Sequence, residues 1–312
     1  MAWAWVGAML VVAAAIVGGV AFANATVFSA SSFARDYLDA LRTDQVDEVL
    51  ALPGVSANGL DARLLDAAAV DEFDYTLVSD AESAGVHRVT VSFSSDGASG
   101  KATLAIERVG TRFAFFPEWG FATSPITALS VTTTGDTRVT VGELPLEVAD
   151  GGPVTFAALT PGVYRLKQDA EFLTAEPVVV AATGAQASAQ LDVVPTEHFL
   201  AEVQAAVEAD LTACAEQTVL FPSPCPFGFA IENRVVSEPH WSISEMPTAS
   251  IAPSDAIGVW AVPHSAGVAH LSVEVQSLFD GSVSTLEQDV PFEAGYLIAF
   301  DGDQVVLEPR LR

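Results

Sequence analysis

The chain has few basic residues. Of its 312 residues, 13 are Lys or Arg and 40 are Asp or Glu, so its formal net charge is -27. Binding to the phosphate backbone of nucleic acids needs clustered Lys and Arg side chains. The sequence contains no such cluster, and this excludes nucleic acid as a partner. We expect the acidity to keep the chain soluble and to oppose self-association.

Charged residues are absent from the first 34 positions, where an almost unbroken apolar run begins at Ala2 and ends at Ala23. A helix of about 22 residues spans about 33 Å, and the hydrocarbon core of a bilayer is about 30 Å thick. The run therefore predicts a transmembrane segment. A cleaved signal peptide is the alternative, since Ala21-Phe22-Ala23 and Ala23-Asn24-Ala25 both fit a cleavage site.

An uncleaved anchor is favoured because the basic N-terminal region of a signal peptide is absent and the apolar run is long for one. Trp3 and Trp5 are then expected at one membrane interface. Arg35 and Arg42 follow the run, and counting them alone would place the body of the chain in the cytoplasm. These bases are few, and the cysteines favour an extracytoplasmic body.

The sequence has only two cysteines, Cys214 and Cys225. An even number of cysteines in an exported chain favours a disulfide. The C-x-x-C spacing of a redox site is absent, and no histidine lies beside them to complete a zinc site. We expect the bridge to hold a proline-rich loop against the preceding helix, with Phe221 and Phe227 covering apolar surface.

Hydrophobic periodicity predicts two α+β regions on either side of a β-rich region. In the first region, Ser32 is expected to cap a helix over 33–41, a second helix covers 45–52, and strands follow at 87–93, 102–106 and 112–116. Residues 125–194 have no helical period and many Gly and Pro turns. Thr196 is expected to cap a third helix. The strands after it are expected near 241–243, 257–262, 270–275, 296–300 and 305–307.

The sequence thus predicts an α+β multidomain protein. The expected boundaries are 1–28 for the transmembrane anchor, 29–122 for an α+β domain, 123–195 for a small β-sandwich and 196–312 for a second α+β domain with the disulfide. The repeated order of helix, strand, Asp-Gly turn and further strands indicates a divergent internal duplication.

Four segments carry a family resemblance. They are Phe33-Ala-Arg-Asp-Tyr-Leu-Asp-Ala-Leu41, Phe116-Pro-Glu-Trp119, Pro161-Gly-Val-Tyr164 and Cys225-Pro-Phe-Gly228. Together they resemble uncharacterised single-pass membrane proteins of actinobacteria. The layout is more distantly similar to teicoplanin-resistance-associated membrane proteins. This resemblance implies nuclear-transport-factor-like or cystatin-like folds, a helix wrapped by a curved antiparallel sheet, for the two α+β domains.

Residues with catalytic or metal-binding spacing are missing. The five histidines, at positions 87, 198, 240, 264 and 270, do not have metal-ligand spacing on one element. The G-x-S-x-G, P-loop, S-x-x-K and H-E-x-x-H motifs are absent. The Asp-Gly pairs are typical of hairpin turns rather than calcium loops. We therefore expect no metal, no cofactor and no catalysis.

These observations favour a membrane-anchored extracytoplasmic scaffold or interaction protein of the cell envelope, with an envelope protein or peptide as its partner. The alternative is a small-molecule or peptide-binding module, with a concave-sheet pocket in the first or third domain. Its expected lining is Phe93, Phe113, Phe115 or Trp260. An enzyme on the same fold is the weakest of the three hypotheses.

Overall fold

The computed structural model describes residues 2–67, 73–254, 256–301 and 304–310. The protein is α+β, with many strands and few helices. The described α-helices are α1 (Ala2–Thr26), α2 (Ala30–Arg42), α3 (Val46–Leu50) and α4 (Glu197–Ala215). The strands are β1 (Asp74–Ser83), β2 (Val86–Ser95), β3 (Ala98–Arg112), β4 (Phe116–Phe121), β5 (Ile126–Thr134), β6 (Arg138–Val141), β7 (Leu144–Glu147), β8 (Val154–Leu159), β9 (Gly162–Asp169), β10 (Leu173–Ala182), β11 (Ala187–Asp192), β12 (Val194–Pro195), β13 (Arg234–Val235), β14 (His240–Glu245), β15 (Ala252–Pro253), β16 (Trp260–Gln276), β17 (Val283–Asp301) and β18 (Gln304–Pro309).

The chain divides into two compact units. Unit 1 comprises Met1–Thr133, Arg138–Lys167 and Glu176–Leu191, and unit 2 comprises Thr134–Thr137, Gln168–Ala175 and Asp192–Arg312. The predicted boundaries of a separate β-sandwich at 123–195 stay a prediction. Residues 125–194 are built from strands with one short 3-10 turn, as expected.

Helix α1 is apolar and uncharged, because no residue before Arg35 carries a charge. Its segment Met9–Thr26 is long and apolar enough to cross a membrane, and none of that segment is buried within the protein. The helix continues three residues beyond the predicted end at Ala23. A signal sequence near the N-terminus also meets this criterion of length and composition.

Helix α2 begins earlier than the sequence predicts. Ser29 is its N-cap, because its hydroxyl oxygen accepts a hydrogen bond from the backbone N–H of Ser32 at 3.2 Å. The expected cap at Ser32 is therefore wrong, and Ser32 lies in the first turn. Ala34, Tyr37 and Leu38 form the buried face of the helix.

Strands β1 to β4 form one antiparallel sheet in sequential order. Side chains alternate between core and solvent, so Val89, Val91 and Phe93 of β2 are buried, as expected for a one-sided sheet. The expected strand at 112–116 is wrong. Strand β3 ends at Arg112, and the chain reverses through Phe113 and Ala114 before β4 begins at Phe116.

Further strands complete unit 1. Strand β5 pairs with β8, and β6 pairs with both β7 and β9, all antiparallel. The backbone N–H of Ala157 in β8 donates to the carbonyl of Asp61 at 2.7 Å. The core packs α2 and the β1–β4 sheet together with buried residues of β8 and β9, including Leu159 and Val163.

Unit 2 has one long helix against an antiparallel sheet. Thr196 caps α4, since its hydroxyl oxygen accepts from the backbone N–H of Phe199 at 3.1 Å. This prediction is confirmed. The strands expected at 257–262 and 270–275 are a single strand, β16, which pairs with β17 along most of its length and bulges between Val262 and Ser265. Strand β14 pairs with β16, and β18 pairs with β17.

Candidate functional site

A groove of 630 Å³ crosses unit 2. Residues from α4, the loop after it, and strands β14, β16, β17 and β18 reach it. The lining consists of Asp210, Pro224, Cys225, Pro226, Glu245, His264, Ala266, Gly267, Val268, Pro291, Phe292, Glu293, Ala294, Gly295, Tyr296, Pro309 and Arg310. Its size is within the range of small-molecule sites.

The groove has two glycines where neighbouring groups approach closely. A Cβ on Gly267 would lie 2.6 Å from Cζ of Phe292, and one on Gly295 would lie 3.0 Å from Cγ of His264. Glycine inside a strand often marks a close approach of this kind. The bulge between Val262 and Ser265 places Pro263 and His264 together opposite Gly295, so these two residues interrupt the regular pairing.

A tyrosine–carboxylate pair links the helix to the sheet at this groove. The hydroxyl of Tyr296 in β17 donates to Oδ2 of Asp210 in α4 at 2.9 Å. Burial raises the pKa of Tyr296 well above its usual value, and the negative charge of Asp210 raises it further. The tyrosine therefore stays protonated and holds Asp210 in place at the edge of the groove.

The charges of the groove are unequal. Three carboxylates, from Asp210, Glu245 and Glu293, line it together with the guanidinium of Arg310 and the imidazole of His264. The excess of carboxylates favours a ligand that carries positive charge. The apolar side chains between them would contact an uncharged part of such a ligand.

The predicted disulfide forms part of the same groove. The Sγ atoms of Cys214 and Cys225 are 2.03 Å apart, and their Cα atoms are 5.7 Å apart. Phe227 is buried and packs on Trp241 and Phe292, with ring centroids 5.0 and 5.4 Å away. Phe227 thus covers apolar surface as expected. The same expectation is wrong for Phe221, whose ring remains 63% exposed.

The four aromatic residues expected to line a pocket lie elsewhere. Phe93 and Trp260 are buried in the cores of unit 1 and unit 2, at 2% exposure each. Phe113 and Phe115 lie at the exposed end of the β3–β4 hairpin. None of the four lines the groove of unit 2. Their role in binding stays a prediction.

A second cavity, of 610 Å³, lies in unit 1 where α1 meets the folded body. Asp80 is central to it, because its carboxylate accepts from the hydroxyl of Ser31 at 2.7 Å and lies 2.8 Å from Nδ1 of His87. The indole Nε1 of Trp119 donates to the carbonyl of Phe28 at 2.9 Å. These contacts tie the segment after α1 to the β1–β4 sheet.

His270 is held between two carboxylates on the hairpin of β16 and β17. Its Nδ1 lies 2.7 Å from Asp289, and its Nε2 lies 2.8 Å from Glu287. These hydrogen bonds raise the pKa of His270, because both carboxylates favour the protonated ring. Glu287 also accepts from the hydroxyl of Ser272 at 2.8 Å. The cluster is exposed and joins the two strands.

The acidic and histidine side chains of the described ranges are not gathered into a metal site. No group of three His, Cys, Asp or Glu there is placed to hold a metal ion. Asp280 and Gly281 form a hairpin turn, with the Asp280 carboxylate accepting from the backbone N–H of Ser282 at 3.1 Å. The other predicted turn, at Asp301 and Gly302, includes Gly302, which lies outside the described residues.

No protein-family model matches this chain, and no curated protein or solved structure does. Sequence reasoning missed the groove because its residues come from one helix, the loop after it and four separate strands. Two signals were visible, namely Gly267 and Gly295, which directly precede or lie between predicted strands, and the Pro-rich loop around Cys225.

Proposed function

We propose that this protein is a membrane-anchored, extracytoplasmic interaction protein of the cell envelope. The observation that supports it is helix α1, whose segment Met9–Thr26 is apolar enough to cross a membrane and has no residue buried inside the protein. Such a surface is stable in a bilayer and unfavourable in water. The Cys214–Cys225 bridge agrees with an oxidising compartment.

Membrane anchoring and orientation can be tested together. Full-length protein with a C-terminal epitope tag should remain in the membrane pellet after carbonate extraction, and added protease should remove the tag from intact spheroplasts. A soluble mature form beginning near Asn24 would show that α1 is a cleaved signal sequence. Protection of the tag until the membrane is opened would place the body in the cytoplasm.

We also propose a binding function for the groove of unit 2, with a cationic peptide or small molecule as its ligand. The excess of carboxylates around the groove supports this proposal. Calorimetry with a panel of short basic and acidic peptides tests it. Basic peptides should bind, and Asp210→Asn should weaken them, whereas Glu202→Gln on the same helix should not. Equal binding by both variants would refute the role of the groove.

For the two regions of helix and sheet, we propose nuclear-transport-factor-like or cystatin-like folds. Helix α2 contacts β1, β2 and β3, and α4 contacts β14 and β18. A helix on an antiparallel sheet is common to these folds, and it is compatible with scaffolds and binding proteins alike. An experimental structure of each unit compared with members of these fold classes would decide the assignment.

A further inference from the structure

We propose that the end of the β3–β4 hairpin enters the interface of the same lipid bilayer that α1 crosses. The lipid-facing residues are Val109, Phe113 and Phe115, which we call the hairpin tip. This inference rests on the proposed membrane anchoring. It adds a second membrane contact, made by the folded body rather than by the helix.

The hairpin tip exposes an unusual amount of apolar surface. Phe113 is 78% exposed, Phe115 is 64% exposed, and Val109 is 49% exposed. Large rings in such positions are unfavourable in water, and they are favourable where a bilayer can cover them. The tip therefore has the composition of a surface that meets lipid.

Direct contacts place the tip beside α1. The side-chain Nδ2 of Asn24 donates to the backbone carbonyl of Phe115 at 3.0 Å. The ring centroids of Phe28 and Phe116 are 4.3 Å apart, and Trp119 in the same hairpin donates to the carbonyl of Phe28. The hairpin is thus joined to the helix at its last turn and to the segment that follows.

These contacts also set the depth of the tip. Asn24 is two residues before the end of α1 at Thr26, which is about 3 Å along the helix axis. The exposed ring of Phe22 lies one turn or less below it. If α1 crosses the bilayer, its last turn lies at the interface, and Phe115 lies at the same level. This level is where aromatic residues of membrane proteins concentrate.

The residues at the turn of this hairpin are unusual for its backbone conformation. Phe113 and Ala114 have φ angles of 53° and 62°, a left-handed conformation that favours Gly or Asn. A bulky ring there is rare, and such outliers are common at functional positions. The conformation presents Phe113 at the far end of the hairpin.

The charges around the tip suit a phospholipid surface. Arg108 and Arg112 lie in residues 108–117, which contain no acidic residue, and Glu107 and Glu118 flank this segment on its two sides. The Arg112 side chain is 64% exposed and lies 3.7 Å from Glu118. Arginine beside an apolar surface can place its charge among lipid headgroups while its stem stays in the interface. A protein partner or a second copy of the chain would give a different result in the test below.

The experiment uses full-length protein in liposomes of phosphatidylcholine and phosphatidylglycerol. A single cysteine at Ala114 is labelled with the environment-sensitive dye NBD, since Ala114→Cys keeps both phenylalanines and the native cysteines are bonded to each other. Val17→Cys in the middle of α1 is the lipid control. Ser99→Cys, exposed at the other end of the same sheet and roughly 45 Å along it, is the water control.

We expect the emission of the dye at 114 to shift to the blue and to be quenched by spin-labelled lipid, and the dye at 99 to show neither effect. The double substitution Phe113→Ser and Phe115→Ser should abolish most of the quenching in the chain labelled at 114. The same double substitution in the chain labelled at 17 should leave the spectrum unchanged. Persistence of the quenching in that double variant would overturn the assignment of these rings.

The remaining outcomes separate this inference from membrane anchoring. If the dye at 114 reports water while the dye at 17 reports lipid, the hairpin contact is refuted and the anchor is retained. A dye in water at both positions refutes the anchor as well. A blue shift at 114 without quenching by spin-labelled lipid would show that protein covers the tip. Equal quenching at 99 and 114 would show that the dye itself inserts into the bilayer. Either result overturns the proposal.

Discussion

Helices α2 and α4 both pack on antiparallel sheets, but different interactions hold them. In unit 1, Tyr37 of α2 is fully buried, and its hydroxyl donates to the carbonyl of Thr160 at 2.7 Å. In unit 2, α4 is linked through Cys214 to the following loop and through Asp210 to Tyr296. Helix α4 also buries an apolar face formed by Phe199, Val203, Val207 and Leu211. The difference is that α4 has a covalent bond and a tyrosine–carboxylate hydrogen bond in addition, both in its C-terminal half.

The loop after α4 explains the difference. Residues 216–239 contain only the two-residue strand β13, so few backbone hydrogen bonds between strands hold this segment in place. The cross-link and the burial of Phe227 supply the attachment that strand pairing supplies in unit 1. A covalent bond is thus used where the chain has little secondary structure of its own.

The largest expected effect tests the attachment in unit 2. Replacing Cys214 and Cys225 by Ser should lower the free energy of unfolding of unit 2 by about 2.5–3 kcal/mol, because the unfolded chain regains the entropy of an open loop. Hydrogen exchange resolved by peptide should show faster exchange over 216–239 and α4. Protection of α2 should not change, and equal loss in both units would contradict the comparison.

A smaller effect is expected from the attachment in unit 1. Tyr37→Phe keeps the ring but leaves the buried carbonyl of Thr160 without its donor, which costs about 1–2 kcal/mol. Denaturant unfolding measures this loss of stability, and hydrogen exchange shows whether it occurs at α2. Tyr75→Phe is the control, because its hydroxyl bonds to Asp39 in a more exposed place. A larger loss for Tyr75→Phe would contradict the role of Tyr37.

An ion pair in unit 1 gives a pH-dependent effect. Arg165 donates to both carboxylate oxygens of Asp96, and these bonds hold the pKa of Asp96 below its usual value. Asp96 therefore adds stability at neutral pH, and that stability is lost as the pH falls through the lowered pKa.

Asp96→Asn should lower the free energy of unfolding by about 0.5–1 kcal/mol at pH 7, since the pair is partly exposed and solvent screens it. The difference from the parent protein should shrink in denaturant titrations below about pH 4. Asp61→Asn, which breaks a pair with Arg63 only two residues away, should cost less. A difference for Asp96→Asn that does not vary with pH would show that the ion pair is not its cause.

The smallest effect concerns His270 in unit 2. Its raised pKa means that the protonated ring stabilises the β16–β17 hairpin. This contribution is complete below about pH 6.5, the usual histidine value, and is lost as the pH rises through the raised pKa. NMR titration of the imidazole should show a lower pKa in Asp289→Asn and in Glu287→Gln. An unchanged midpoint in both variants would contradict the contacts described.

Several elements followed from the sequence alone because their causes are local. The apolar run from Ala2 predicts α1, Thr196 predicts the start of α4, and the alternation at Val89, Val91 and Phe93 predicts a one-sided strand. The disulfide was predictable because the chain offers one pair of cysteines. In each prediction, the residues that decide the structure are close in sequence or, for the two cysteines, have only one possible partner.

Other features depend on contacts across long separations. The turn at Phe113 and Ala114 lacks the usual turn residues, so the sequence predicted a strand there. Phe93 and Trp260 were expected in a pocket and are buried in cores, because hydrophobicity alone does not distinguish the two. The contacts of Asn24 with Phe115 and of Asp210 with Tyr296 join residues 91 and 86 positions apart.

The sequence by itself determined the apolar helix, the acidic composition, the cap of α4 and the single disulfide, since each depends on composition or on neighbours within a few residues. Only the tertiary structure decided which side chains line the groove and which aromatic rings stay exposed beside α1. The physical reason is that burial and hydrogen bonding depend on the packing of whole elements, and many of those contacts join residues that are far apart in the chain.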